Sequence, residues 1–545
     1  MNLIGSIFTV GSYTLASRVL GFIRDILIAH ALGTGLAADA FFVSQRFPNL
    51  FRSLFAEGAF NAAFVPQYAR RLEGEGSESA RRFAEQVMSV MTTVLLVFTF
   101  IAQAGMPWLM YLLAGGYADD PPKFALSVLL TQVTFPYLLF MSLTALQGGI
   151  LNSLHQFMHA AAAPILLNIV MIVALVLVAP FALPFDDVAY ALAWAMTVAG
   201  VGQFLWMVIA CHRAGMDLHL PRPRLTPEVR QLFKLMLPGI IGSGVMQLNL
   251  VIGTQIASWQ DGAVSFLYYA DRVYQFPLAV VGSATGVVLL PVLSRHLRAG
   301  ENDAAMATLN RGIELVLLLT VPAAVALIAI PLPIVSVLFQ HGNFTAQDSL
   351  ATAVALGIYG AGLPAFVLVK ALTPAFYARE DTATPFRYAI ISMVVNTILS
   401  VVLFYFMAFA GIALGTILAS WLNIAMLSRT LHQRGHLVLD TRLRTRLPRI
   451  LISSLLMGFA VWGAAELVQS MLATAPTWTP DAGYTRRAAQ LFHARHTVSL
   501  AAQAISLAAI VLAGVIVFAV AALLTRATSL AEFRSILRRQ QQPAA

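Results

Sequence analysis

The stretch ADAFFVSQRFPNLFRSLFAEGAFNAAFVP, residues 38–66, decides the fold. It is apolar enough to enter a bilayer, yet Asp39, Arg46, Asn49, Ser53, Glu57 and Asn61 recur at steps of seven, three, four, four and four. On a helix all six share one face, with Arg52 beside it. At 1.5 Å per residue, Asp39 to Asn61 spans about 33 Å, the depth of a hydrocarbon core. Pro48 predicts a kink within the run. A polar face of that length on a membrane helix demands either buried ion pairs or a water-lined cavity.

The rest of the chain has the same character. Of 545 residues, 59% are hydrophobic and only 11% charged. That is too little charge to coat soluble domains, and too many large apolar residues for a disordered chain. The chain reads as an all-α polytopic membrane protein. Its single cysteine, Cys211, excludes a disulfide framework and a cysteine-built metal cluster. The net charge of +9 fits basic cytoplasmic loops and gives no reason to expect nucleic acid. Met1 leads almost at once into an apolar segment without a basic leader region, so the first helix is expected to remain in the mature protein.

Apolar runs place spans at 7–32, 38–68, 85–113, 125–152, 160–182, 188–211, 235–258, 264–294, 312–339, 349–377, 386–408, 411–430, 450–472 and 498–524, about fourteen in all. On this count 24 basic residues fall on one side, among them Arg70, Arg81, Arg224 and Arg298. Only Lys123, Arg486, Arg487 and Arg495 fall on the other. The bias places both termini in the cytoplasm. Six basic residues remain inside spans: Arg18, Arg24, Arg46, Arg52, Arg272 and Lys370.

Two halves echo each other at an offset of roughly 222–229 residues, as transporter repeats do. ADAFFVSQRFP from Ala38 parallels SFLYYADRVYQFP from Ser265, VPQYARRL from Val65 parallels LPVLSRHL from Leu290, and FPYLLFMSLTAL from Phe135 parallels LPAFVLVKALTP from Leu363. Each copy holds about six spans, so the copies share one orientation. The expectation is two six-helix lobes, 1–220 and 221–440, related by a parallel pseudo-two-fold repeat around a central cavity. Two further helices and a cytoplasmic tail follow at 441–545, with packing or lipid contact as their expected role.

The first span carries Ser17, Gly21 and Arg24 on one face, with Arg18 and Asp25 on an adjoining stripe. In the second repeat Tyr268, Arg272 and Gln275 keep helical spacing, with Asp271 adjacent and Pro277 beyond. One arginine at a bilayer centre costs about 2.5–3.5 kcal/mol on insertion scales, so four would cost roughly 10–14 kcal/mol. Ion pairs with Asp25, Asp39, Glu57 and Asp271 would offset that cost, and so would water around a bound anion. Six basic residues against these four acids favour an anionic ligand, and arginine suits phosphate oxygens.

None of the three lysines follows a glycine, which excludes a Walker A loop and makes ATP hydrolysis by this chain an unsuitable reading. His155/His159 and His432/His436 have ligand spacing but no third ligand nearby in sequence, so a solvated face is expected for each and no metal. Arg442, Arg444, Arg446 and Arg449 read as a basic run for orientation and contact with anionic lipid.

ASRVLGFIRD from Ala16, the stretch from Ala38, YYADRVYQFP from Tyr268 and KALTPAFYAREDTATP from Lys370 resemble the MurJ (MviN) family. That family comprises bacterial lipid II flippases of the multidrug/oligosaccharidyl-lipid/polysaccharide exporter superfamily. The resemblance covers nearly the whole chain and implies fourteen helices, an inner-membrane location, and two extra helices lining a lipid-facing groove. It implies cavity arginines at Arg18, Arg24, Arg52 and Arg272, and important polar or acidic positions at Ser17, Asp25, Asp39, Asn49 and Glu57. Arg46 stands where relatives can have lysine, and Gln275 where some have glutamate. Some relatives bind sodium in the second lobe. Asn249 and Asn396 are polar there, but no carboxylate-bearing site is transferred, and neither a cofactor nor a particular coupling ion is assigned.

The resemblance makes the substrate lipid II, undecaprenyl-diphosphate-linked peptidoglycan precursor. Arg18, Arg24, Arg52 and Arg272, with Ser17 and Asn49, are the expected substrate ligands. Asp25, Asp39, Glu57, Arg46, Asp271, Gln275 and Lys370 are the expected charge-pairing or gating positions. Membrane lipids, and cell-wall synthesis or division proteins, are the expected partners. The rival readings are a drug or polysaccharide-lipid exporter of the same superfamily, and a polyprenyl-phosphate membrane enzyme. The arginine excess disfavours a cationic-drug cavity, and no metal-binding carboxylate cluster supports the enzyme.

Overall fold

The computed structural model describes residues 3–55, 59–472 and 500–529, and every regular element among them is helical. Glu57, all of residues 473–499 and the C-terminal tail beyond 529 lie outside the described residues. Ten spans among the described residues are long and apolar enough to cross a membrane, by length and composition alone. The described residues of the other four expected spans are helical too, in Leu3–Leu32 (α1), in Leu36–Ser44, Arg46–Phe55 and Ala59–Gly74 for the second span, in Pro227–Ala257 and in Ala263–Arg298. Three of those four carry most of the intramembrane charges: Arg18, Arg24 and Asp25; Asp39, Arg46 and Arg52; Asp271 and Arg272. Lys370 lies in one of the ten, Ala346–Tyr377.

The second span is not one helix. It breaks at Gln45, between α2 (Leu36–Ser44) and α3 (Arg46–Phe55), and α4 (Ala59–Gly74) resumes the described chain. The 33 Å ruler drawn along a single helix therefore does not apply. Pro48 explains the break at Gln45, since it has no N–H to give the carbonyl of Ser44. The Thr134 hydroxyl supplies the missing donor at 2.9 Å. The equivalent helix of the second repeat stays continuous through Pro277 and Pro291.

The chain forms two compact units. The first comprises Met1–Ser265 with His341–Phe344, and the second Phe266–Gln340 with Thr345–Ala545. In the first unit follow α5 (Ser77–Ala104), α6 (Met106–Ala114), α7 (Pro121–Thr134), α8 (Tyr137–Ser153), α9 (Phe157–Val178), α10 (Phe185–Arg213) and α11 (Pro227–Ala257). α1 packs along α9, α2 against α7, and α11 against α3 to α6. These compact units and the two repeat copies divide the chain differently, because α11 sits in the first unit while its sequence opens the second copy. α2 is buried on all sides from Ala37 to Ser44. Asn343 closes the end of α1, its backbone N–H donating to His30 O at 3.0 Å and its Nδ2 to Ala31 O at 2.8 Å. Gly33 permits this approach, with a φ of +62° and a Cβ position only 2.4 Å from the Asn343 carbonyl oxygen.

α12 (Ala263–Arg298) begins in the first unit, to Ser265, and continues into the second, where it is followed by α13 (Asn302–Ala329), α14 (Pro331–Phe339), α15 (Ala346–Tyr377), α16 (Ala383–Met407), α17 (Phe409–Gln433), α18 (Thr441–Leu472) and α19 (Leu500–Leu524). The appended pair packs on this unit. Ile330, Met457, Val461, Ala465 and Ile510 are buried together, and Ile450 and Ala522 join Leu318 and Val321 in a second cluster. The opposite side of α18 is exposed and apolar, with Leu451, Leu455, Phe459 and Trp462 in helical register.

The basic run at the start of α18 is only partly available to lipid. Arg442 and Arg446 converge with Arg311 on the buried carboxylate of Glu314, and Arg311 also pairs with Asp440. Arg449 donates to Arg526 O at 3.3 Å. Arg444 is exposed. The sequence showed four like charges in eight residues, and three of them reach acceptors far away in the chain.

Candidate functional site

In the first unit, Arg24 and Asp25 form an ion pair. Nε and Nη2 of Arg24 lie 3.0 and 2.7 Å from the same Asp25 oxygen, with the side chains 12% and 3% exposed. Asn168 of α9 completes the arrangement. Its Oδ1 accepts from Arg24 Nη1 at 3.0 Å, and its Nδ2 donates to Ser17 O at 2.9 Å. Ser17 thus enters through its backbone. Arg18 is exposed on α1. Asn49 and Arg52 are half-buried on α3. Phe51 fixes that helix, its ring edge-on to Phe98 at 4.9 Å and to Phe135 at 6.1 Å.

Asp39 is charge-paired, though with a lysine and not with an arginine. Lys123 Nζ lies 2.8 Å from its Oδ2 and 2.9 Å from Asp261 Oδ1, and sits 4.4 Å above the Tyr117 ring. Asp39 also accepts from the N–H of Gly262 and of Ser265, each at 2.9 Å, and from the Ser265 hydroxyl at 2.6 Å. It therefore caps the N-terminus of α12, where a carboxylate is favoured by the exposed N–H groups and the helix dipole. This corrects the expectation that Lys123 is a loop charge. It is 1% exposed. Its partners are 84 and 138 residues away in the chain, so no local pattern could reveal them.

In the second unit Arg272 lies over the Tyr268 ring, 4.5 Å from its centroid. Such a contact holds a cation while leaving guanidinium edges for other acceptors. Gln275 Nε2 donates to Asp271 Oδ2, so this position bonds the carboxylate as a neutral donor. The Tyr274 ring packs at a tilt against Tyr359 and Phe366, with centroids at 5.0 and 5.4 Å. The Lys370 stem crosses Gly282, where a Cβ would stand 2.9 Å from its Cδ and 3.1 Å from its Nζ.

Outside the spans, Asp381 caps α16. It accepts from Thr384 N and Oγ1 at 2.9 and 2.7 Å, and from Arg434 at 2.6 Å. The Arg434 hydrogen bond leads the causes that hold its carboxyl down at about 2. Among the described residues no three His, Cys, Asp or Glu side chains are placed to hold a metal ion.

Sequence reasoning found Arg24, Asp25, Arg272 and Asp271, and missed Asn168 and Lys123 as members of the polar clusters. Asn168 left no periodic signature, because it is the lone polar residue between Pro164 and Pro180 in an apolar run.

A multi-pass helical chain with charged residues, largely buried arginines among them, inside its spans defines a membrane transporter. The fold matches a solved lipid II flippase in an inward closed conformation, with a TM-score of 0.74 at 23% identity, over 98% of this chain and 99% of that one. It also matches an inward-facing multidrug resistance transporter of the MATE family, with a TM-score of 0.65 at 14% identity, over 76% of this chain and 94% of that one. The profile of the family described as lipid II flippase MurJ matches residues 28–477. A Rhizobium tropici protein named a probable lipid II flippase MurJ is 48% identical over 89% of this chain and 91% of the relative. The lipid II flippase MurJ of Burkholderia cenocepacia is 38% identical over 80% and 85%. The chain belongs to the MurJ lipid II flippase family.

Proposed function

We propose that this protein is a lipid II flippase. It carries the undecaprenyl-diphosphate-linked peptidoglycan precursor from the cytoplasmic to the periplasmic leaflet by alternating access, and is a transporter rather than an enzyme. The observation that carries the reading is the presence of oriented, largely buried guanidinium groups on both units: Arg24 held by Asp25 and Asn168, and Arg272 on Tyr268. Bidentate guanidinium groups match diphosphate oxygens. Family membership supplies the identity of the lipid.

Arg18 and Arg52, with Ser17 and Asn49, complete the ligand set in this reading. Asp25 balances charge when the substrate is absent, and Glu57 is assigned the same role. In this reading the chain crosses the inner membrane fourteen times with both termini in the cytoplasm, which the bias of basic residues supports. The appended helices offer an apolar face to the polyprenyl chain. Coupling to cell-wall synthesis or division proteins follows from the substrate, and no cofactor is required. The test is translocation of fluorescent lipid II in vesicles holding the purified protein. Transport above empty vesicles is expected, with Arg24→Ala and Arg272→Ala inactive. Absence of lipid II movement by well-folded wild-type protein would overturn the proposal.

A further inference from the structure

The Arg24–Asp25 pair is one that a helix does not make by itself. Successive residues project about 100° apart, so neighbours at i and i+1 do not face each other. The Arg24 side chain must wrap toward Asp25, and something outside α1 must hold it there. Asn168 is placed to do so. It is buried on α9, 4% exposed.

Its amide has one orientation that satisfies both neighbours. The oxygen must face Arg24, which only donates, and the NH2 must face the Ser17 carbonyl, which only accepts. A backbone carbonyl has two lone pairs, so this bond leaves the α1 ladder intact. One side chain therefore fixes both the helix that carries Arg24 and the guanidinium itself. A cation held in place gives up less side-chain freedom on meeting an anion than one that swings.

We propose that Asn168 is a positioning residue for diphosphate recognition, acting through Arg24. The inference rests on the flippase reading and adds a residue to it. Asn168 does not touch the substrate. It presets the direction in which the Arg24 fork is presented.

The test is binding of undecaprenyl diphosphate and of undecaprenol to the full-length protein in nanodiscs. Wild type, Asn168→Leu, Asn168→Ser, Arg24→Ala and the Asn168→Leu/Arg24→Ala double variant are compared, with thermal unfolding recorded for each. Lipid concentrations extend to saturation of the Arg24→Ala protein. Loss of one hydrogen bond to a charged group is expected to weaken diphosphate binding roughly tenfold in Asn168→Leu. Serine is too short to reach Arg24 and should behave likewise, while keeping a polar group that eases folding. Undecaprenol binding should not change. On the Arg24→Ala background the leucine substitution should cost less than about twofold, because a residue acting through Arg24 has nothing left to position. An equal loss in both backgrounds, or an equal loss for undecaprenol, would show a structural tether and overturn the proposal. Unchanged diphosphate binding in both Asn168 variants would also overturn it. If wild type fails to prefer the diphosphate, the flippase reading has failed, and the inference falls with it.

Discussion

The ammonium of Lys123 lies 2.8 Å from the carboxylate of Asp39, and the two side chains are 1% and 0% exposed. Removing Lys123 leaves the Asp39 carboxylate buried with hydrogen-bond donors but no neutralising charge. Lys123→Met should therefore destabilise the protein by about 3–5 kcal/mol, the usual cost of breaking a buried pair from one side. Asp39→Asn/Lys123→Met should cost less than the sum of its single changes. Thermal unfolding in detergent measures both, and strictly additive losses would show that the pair is not energetically coupled.

Replacing Arg24 or Arg272 with alanine should abolish growth support in cells that depend on this protein, at normal membrane levels. Lysine at either site should rescue only partly, since an ammonium lacks the planar fork and stacks less well on the Tyr268 ring. Full complementation by both alanine variants contradicts a diphosphate grip.

Glu314 holds three guanidinium groups, and its side chain is 8% exposed. Glu314→Gln should leave Arg311, Arg442 and Arg446 facing one another, lower the unfolding temperature, and loosen α18 from α13. The exposed Arg444→Ala should change stability by no more than about 0.5 kcal/mol. Hydrogen exchange along α18 separates the two. Equal protection in both variants would remove Glu314 as the clasp.

The charge bias predicts which side each loop faces. A cysteine at Gln347 should react with an impermeant thiol reagent from the periplasm, and one at Gly74 or Asp303 should not. These positions are preferable to Gly342, whose φ of +60° and 2.4 Å approach of a Cβ to His30 O would strain any substitution. The reverse labelling pattern would invert the topology and with it the direction of transport.

A diphosphate carries about two negative charges, and moving each outward from a negative interior across 100 mV releases about 2.3 kcal/mol, or roughly 4–5 kcal/mol in all. Membrane potential is therefore expected to drive the cycle, with or without a coupled ion. Net accumulation of lipid II in vesicles should collapse when potassium and valinomycin clamp the potential to zero. Undiminished accumulation against a gradient, with sodium and proton gradients also removed, would falsify this account.

Class and approximate helix positions were legible in the sequence, because both follow from local composition. The expected 7–32 run ends at Leu32, where α1 ends, and a bilayer imposes its length on every apolar run. Buried charges stood out for the same reason: Arg24, Asp25, Asp271 and Arg272 are costly wherever they sit in a span. Pro48 announced a break because a missing N–H is a local fact. What the sequence could not supply was partnership. That Thr134 answers the carbonyl left open by Pro48, that Lys123 leaves the loop to neutralise Asp39, that Asn168 holds Arg24, and that Glu314 gathers arginines from 128 and 132 residues away were decided only by tertiary structure. Hydrogen bonds and ion pairs act over about 3 Å in space with no regard for separation along the chain, and a buried polar group accepts whichever partner the packing brings within that distance.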